Sequence, residues 1–312
     1  MECEWKEIAL WALAAPTLIW ICSYFGPLLL CMLPAQNLKK KYGAEWALVT
    51  GGGSGIGRAL VEALALQGFN VVVVSLDDKL LQETMTALTN HFPSQKFIKV
   101  GVNFAPGVDY MAAIKKATSG IKVQCVFNNA GYIVTGFYDH TDANKQAGNM
   151  ECNAVAAARI THHFVGEMIA AKLKGCIVFT SSVAAYMPTP FSIMYGATKA
   201  FVSNLAASLA VEVQAKGIDV LSIHPSPVAS NFYSNLDHKI DMMDQAAKGA
   251  VQPSTLPQVI FKSVGRVVWR DIGGLAVCVR AGTFMLPYNF LATAFAIAAP
   301  YLPDYKKNDV DR

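Results

Sequence analysis

A doubly wound α/β fold, one parallel sheet covered by helices in a single catalytic domain, is the architecture this 312-residue sequence predicts. Three observations predict it. From Glu45 onward, short β-rich apolar runs alternate with helix-length segments, as right-handed crossovers between parallel strands require. The run Val71-Val72-Val73-Val74 is apolar without alternation, as a strand buried on both faces must be. A glycine-rich turn joins the first strand to the helix after it.

Taken in order, the chain opens with an anchor. Ile8 to Leu38 are 31 residues without a formal charge, and about 20 suffice to cross a bilayer as a helix. Pro16 and the Gly26-Pro27 pair interrupt the run, leaving one kinked span or a re-entrant pair of short helices. Glu2, Glu4 and Glu7 ahead of it, and no small-x-small site after Leu30, argue against a cleaved signal peptide. Lys39-Lys40-Lys41 follow directly and place the next domain on the cytosolic side. Residues 1–38 are thus the expected membrane anchor and residues 39–280 the catalytic domain.

The expected strands are Trp46–Thr50, Asn70–Ser75, Lys96–Val102, Val123–Phe127, Cys176–Thr180, Asp219–His224 and Gly274–Val279. Residues 281–312 hold a second uncharged stretch, Ala281 to Pro303, with Pro287, Pro300 and Pro303 inside it. It reads as a membrane-docking helix pair, an apolar lid or a buried core segment. A full span would carry Lys306-Lys307 across the membrane.

Composition narrows the partners. Apolar residues make up 53% and charged residues 15%, against about 25% charged in ordinary soluble domains. A net charge of +4 without a basic, aromatic-lined stripe excludes a nucleic-acid binder. The seven cysteines form no C-x-x-C pair, so neither a disulfide framework nor a metal site is expected, and the seven read as structural thiols.

The turn Thr50-Gly51-Gly52-Gly53-Ser54-Gly55-Ile56-Gly57 has the spacing G-x-x-x-G-x-G. Its glycines permit a sharp reversal close to a ligand, and the helix start offers amides to a pyrophosphate. At the end of the second strand stand Ser75, Leu76, Asp77 and Asp78. Asp77 is positioned either to meet a ribose hydroxyl or to cap the helix near Lys79, and capping is the preferred reading.

Tyr195 and Lys199 are four residues apart, one face of a helix. A free phenol has a pKa near 10. A neighbouring ammonium favours the phenolate and equips Tyr195 to exchange a proton with a ketone oxygen. Ser182, thirteen residues earlier at a strand end, is placed to hold that oxygen. Asn153 is placed to anchor a water linking Lys199 to solvent. Tyr186, Met187 and Phe191 lie between Ser182 and Tyr195 and are expected to face substrate, with Phe232 from the segment after the sixth strand.

Over about residues 44 to 235 these residues resemble the short-chain dehydrogenase/reductase family, whose fold is Rossmann-type. The glycine motif corresponds to Thr50–Gly57, the Asn-Asn-Ala-Gly motif to Asn128–Gly131, and the catalytic tetrad to Asn153, Ser182, Tyr195 and Lys199. The nicotinamide-side loop corresponds to Pro225-Ser226-Pro227-Val228-Ala229-Ser230. The resemblance implies that Gly51, Gly53, Ser54, Gly55, Ile56, Gly57, Asp77, Asn103, Asn129, Ala130, Gly131, Pro225, Val228 and Ser230 contact the cofactor, with Tyr195 and Lys199. It also implies pairing through the helices that carry Asn153 and Tyr195, hence a homodimer.

More narrowly, Pro34 to Thr50, Val102-Asn103-Phe104 and Tyr195 to Phe201 resemble the endoplasmic-reticulum very-long-chain 3-oxoacyl-CoA reductases and the related 17-beta-hydroxysteroid dehydrogenase type 12. That group implies NADP as cofactor, reduction of a 3-keto group on a lipophilic substrate, and an endoplasmic-reticulum membrane. NAD stays open, because Leu76 stands where NADP-dependent members place Arg. Asn103 replaces the usual adenine-contacting Asp, and Ser226 the loop Gly.

Overall fold

The computed structural model describes residues 2–233, 236, 238 and 240–309. Before the sheet come α1 (Glu2–Leu30) and α2 (Leu38–Tyr42). Alternation then begins: β1 (Trp46–Thr50), α3 (Gly55–Leu66), β2 (Asn70–Ser75), α4 (Lys79–His91), β3 (Phe97–Gly101), α5 (Tyr110–Thr118) and β4 (Val123–Asn128). It continues with α6 (Ala143–Met150), α7 (Ala156–Ala170), β5 (Gly175–Thr180), α8 (Ile193–Val213), β6 (Ile218–Pro225), α9 (Asp241–Ala247), α10 (Leu256–Ser263) and β7 (Trp269–Ile272). The chain closes with α11 (Gly274–Met285), α12 (Tyr288–Ala298) and α13 (Pro303–Asn308).

All pairings are parallel, in the order β3-β2-β1-β4-β5-β6-β7. The valine run in β2 divides between the two faces. Val71 and Val73 pack with Leu60 and Leu64 of α3. Val72 joins the opposite core, with Ile114 of α5 and Ile160 of α7. Each fully buried valine contributes roughly 2 kcal/mol of transfer free energy. Strand order reverses between β1 and β4, which opens a crevice at the carboxyl ends of those strands.

Two expectations change. The run Gly274–Val279 is the start of α11 and not a strand; Gly273, at φ 93°, turns the chain there. The seventh strand lies just upstream, where Trp269, Arg270 and Asp271 pair with Ser222, Ile223 and His224. An apolar run as short as this fits a helix as well as a strand, and the charges of β7 hid the true one. Second, α1 is one continuous helix with Pro16 and Pro27 inside it, so the re-entrant alternative falls. Two of the three lysines after the anchor also touch the catalytic domain: Lys41 pairs with Asp219 at 2.9 Å, and Lys39 donates to the Gly68 carbonyl.

The thiols of Cys22, Cys31, Cys125, Cys152, Cys176 and Cys278 are free. Cys3 lies outside the residues whose side chains are described.

Candidate active site

Thr50 ends β1 and ties the crevice together. Its hydroxyl accepts from the amides of Asn129 and Ala130, both at 2.9 Å. The Asn129 side chain donates to the Thr50 carbonyl (3.2 Å) and accepts from the Thr180 hydroxyl (3.1 Å), joining the ends of β1 and β5 across β4. The glycine turn lies beside this clamp. Gly51 and Gly55 have φ of 65° and 54°, in the left-handed region. A Cβ on Gly57 would lie 2.1 Å from the Gly51 carbonyl oxygen, so no side chain fits there. Ser54 precedes α3 without a side-chain cap bond, so the first amides of α3 stay available to an anion. The Gly53 carbonyl is held by the Thr84 hydroxyl at 2.8 Å.

At the far end of the crevice Asp77 does not cap α4. Asp78 does, accepting from the Leu81 amide at 2.9 Å. Asp77 stays largely exposed and pairs with Lys99 at 2.5 Å. Leu76 is also exposed, as is Asn103 just beyond β3.

The four expected catalytic residues come from three elements. A single π turn, Glu151–Val155, sits between α6 and α7 and carries Asn153. The Asn153 side chain accepts from the Tyr132 amide (3.0 Å) and donates to the Tyr132 carbonyl (2.9 Å) and the Thr198 hydroxyl (3.2 Å). It therefore clamps the segment after Gly131 as its main contact. A Cβ on Gly131 would meet Asn153 Oδ1 at 3.1 Å and Lys199 Nζ at 3.3 Å, so the two side chains converge on this glycine.

Lys199 is buried on α8. It donates to the Thr180 carbonyl at 2.8 Å and lies 5.5 Å from the centroid of the Tyr195 ring. Burial lowers its pKa to about 8. Burial pushes the Tyr195 phenol up, as does neighbouring Tyr233, while a hydrogen bond with Ser182 acts the other way. Ser182 opens the 3-10 turn Val183–Tyr186, its hydroxyl accepting from the Ala184 amide at 3.2 Å. Ser181 next to it binds the Lys199 carbonyl (2.8 Å) and Ser203 (2.7 Å), fixing α8 against β5.

Pro225 closes β6, and in the loop after it Val228 is buried and bridges Val251. Ser230 approaches the glycine turn: a Cβ on Gly55 would lie 3.3 Å from its own Cβ. Ser226 caps α11 by accepting from the Ala276 amide at 3.0 Å. A Cβ at position 273 would meet the Ser226 hydroxyl at 2.5 Å, so the serine is matched to a glycine.

The substrate-side expectations divide. Phe232 packs against the Tyr195 ring at 5.7 Å, within the site. Met187 is half-buried. Phe191 is buried with φ 63°, a strained backbone for a bulky residue. Its ring meets Phe137 (5.2 Å) and Tyr305 of α13 (6.3 Å). Tyr186, also expected to face substrate, donates its hydroxyl to Asp271 at 2.8 Å, and Arg280 covers its ring at 3.6 Å. Sequence alone does not single out Thr180, Thr198, Asp271 or Arg280. For Arg280 a signal existed. It is the one charge between Ile272 and Pro303, and a lone charge in an apolar helix needs a partner.

Residues 45–241 match the family model of the short chain dehydrogenases, and the chain belongs to that family of oxidoreductases. It is 30% identical to a very-long-chain 3-oxoacyl-CoA reductase-like protein of Arabidopsis thaliana, covering 71% of this chain and 69% of that one. It is 28% identical to the Homo sapiens protein named inactive hydroxysteroid dehydrogenase-like protein 1, over 79% of this chain and 77% of that one. Among solved structures, a 7beta-hydroxysteroid dehydrogenase superposes with a TM-score of 0.71 at 24% identity, covering 81% of this chain and 96% of its own, and shows the shared fold.

Proposed function

We propose that the protein is an NADPH-dependent reductase of a keto group on a lipophilic substrate at a membrane, a 3-oxoacyl-CoA ahead of a steroid or retinoid. The observation that carries this reading is the convergence of Asn153, Ser182, Tyr195 and Lys199 beside the glycine turn. The turn fits a dinucleotide. Its glycines let the turn close tightly on itself and on Asn129-Ala130, and the first amides of α3 have no side-chain cap and are free to meet a pyrophosphate. When bound, the nicotinamide supplies the hydride. Lys99, beside Asp77, brings a cation to the ribose end, which supports NADP; Asp77 itself is the feature that favours NAD.

The chain's own groups handle the oxygen and the proton. Ser182 orients the keto oxygen by donating a hydrogen bond. Tyr195, kept neutral by burial, gives its proton to that oxygen as negative charge develops on it. Lys199, charged below pH of about 8, stabilises the phenolate left behind. Asn153 fixes the main chain at Tyr132 and, beside Lys199, borders the proton's route.

Membrane attachment rests on α1. It is the one described helix long and apolar enough to span, with mean hydropathy 1.7, and its apolar stretch is exposed. Lys40 and its neighbours support a cytosolic catalytic domain, and the resemblance supports the endoplasmic reticulum. The pair α11–α12, bent by 107°, docks on the same membrane.

Tyr195→Phe is expected to lower turnover of a long-chain 3-oxoacyl-CoA by about 10²–10⁴-fold while NADPH binding, read by fluorescence, is retained. Undiminished turnover defeats the assignment. The name of the human relative favours a second reading, a nucleotide-binding scaffold without catalysis. NADPH binding by the unmodified protein with no turnover of acyl-CoA, steroid or retinoid ketones would select it.

A further inference from the structure

Asp271, at 8% exposure, is a carboxylate almost removed from water, and side chains from four parts of the chain meet there. Tyr24 of α1 donates to its Oδ2 at 2.7 Å, across 247 residues of sequence. Tyr186, at the end of the turn that Ser182 opens, donates to Oδ1 at 2.8 Å. Arg280 Nε of α11 lies 3.3 Å from Oδ2, and its Nη2 lies 2.5 Å from the Tyr186 hydroxyl. His224 Nδ1 lies 3.6 Å from Oδ1. Burial holds the imidazole neutral, so Arg280 is the counter-ion.

The anchor does more than touch this group. Trp20 stacks on Tyr24 (5.2 Å) and on Phe284 of α11 (4.9 Å), binding the end of α1 to α11. A plain tether needs no buried acid to receive its end.

We infer that the membrane anchor is a positioning element for catalysis: through Tyr24, Asp271 and Tyr186 its docked end holds the turn that presents Ser182. This rests on the reading of Ser182 as the group that orients the keto oxygen. Ser182 caps the four-residue turn that ends at Tyr186, and the Ala185 amide binds the Ser182 carbonyl at 3.0 Å. Loosening one end moves the other, and misplacement of about 1 Å is enough to slow a positioned reaction. Tyr24, Asp271, Tyr186 and Arg280 are positioning residues; their bonds go to one another and not to Tyr195 or Lys199.

The test uses the full chain in phosphatidylcholine vesicles. Tyr24→Phe removes one hydroxyl and keeps the ring. With a long-chain 3-oxoacyl-CoA and NADPH, kcat is expected to fall about 5-fold, the effect of one lost hydrogen bond. KM, NADPH affinity and vesicle association should move by less than about 2-fold, since no binding group is touched. Tyr186→Phe should act alike, and the double variant should lose less than the product of the two, because both act through Asp271. Amide exchange across residues 183–187 should quicken in each variant. An unchanged kcat, multiplicative losses, or NADPH affinity falling in parallel would overturn the inference. If the unmodified protein reduces no ketone, the catalytic reading fails, and the exchange measurement decides the coupling alone: unchanged exchange in Tyr24→Phe refutes it, and faster exchange upholds it.

Discussion

The Lys199 ammonium donates to the Thr180 carbonyl, faces the Tyr195 ring and is 3% exposed. Burial disfavours both charged forms here, the ammonium and the phenolate, which lowers Lys199 to about 8 and raises Tyr195. At neutral pH the pair is therefore phenol and ammonium, the state that proton donation to a keto oxygen requires. As pH rises through about 8 the ammonium loses its proton first, and the phenolate formed in the reaction loses its support. Reductive turnover, followed as NADPH oxidation, is thus expected to be flat near neutrality and to fall above pH of about 8. Lys199→Arg keeps a charge throughout this range, so it should lower the plateau and abolish the alkaline fall. A break that persists near pH 8 in that variant would belong to another group. Sequence showed the types and order of Asn153, Ser182, Tyr195 and Lys199, because a few chemical roles demand those types. It did not show Thr180 or Thr198, whose contributions are a carbonyl and a short hydroxyl contact that many residues at those positions supply.

Elements were legible where burial wrote a pattern. Strands β1 to β6 were found within a residue or two of their ends; β1 and β2 bury continuous apolar runs, while β3, with only Val100 buried, was marked by its β-rich residues alone. The π turn at Asn153 left no such pattern; one extra residue in a helix changes no hydrophobic period detectably over a single turn. Nor did the capping of α4 by Asp78, since adjacent aspartates are equivalent until the backbone chooses one. The glycines of the site are equally a matter of local geometry, and two substitutions separate them from ordinary helix glycines. Gly57→Ala forces a Cβ into the Gly51 carbonyl and should abolish NADPH binding, measured by fluorescence titration. Gly166→Ala, on the exposed side of α7 with nothing within 4 Å, should leave binding unchanged. It should stabilise the fold by up to about 1 kcal/mol, the helix propensity difference. Retained binding in Gly57→Ala would show that the turn opens without cost.

For the molecule as a whole, the question the sequence left open was whether the second apolar stretch crosses the bilayer, because composition and length permit it. The structure adds where its ends go. On one side α11 is bound to the catalytic domain through Ser226 and Asp271. On the other, Asp304 of α13 accepts from the Asp241 amide at 2.7 Å, and Tyr305 meets Phe137 at 5.1 Å. Between them α12 has no buried residue, and its eleven residues rise about 17 Å, roughly half of a 30 Å hydrocarbon core. We expect a segment held by the same domain at both ends, whose exposed helix is too short to cross alone, to enter one leaflet and return. An epitope appended after residue 312 is therefore expected on the same membrane face as the catalytic domain. Protease treatment of sealed vesicles should remove that epitope and one inserted near Gly107, an exposed glycine with nothing within 4 Å, at the same rate. Protection of the C-terminal epitope alone would make the stretch a span, and the contact between Asp241 and Asp304 could then not exist in the membrane-bound protein.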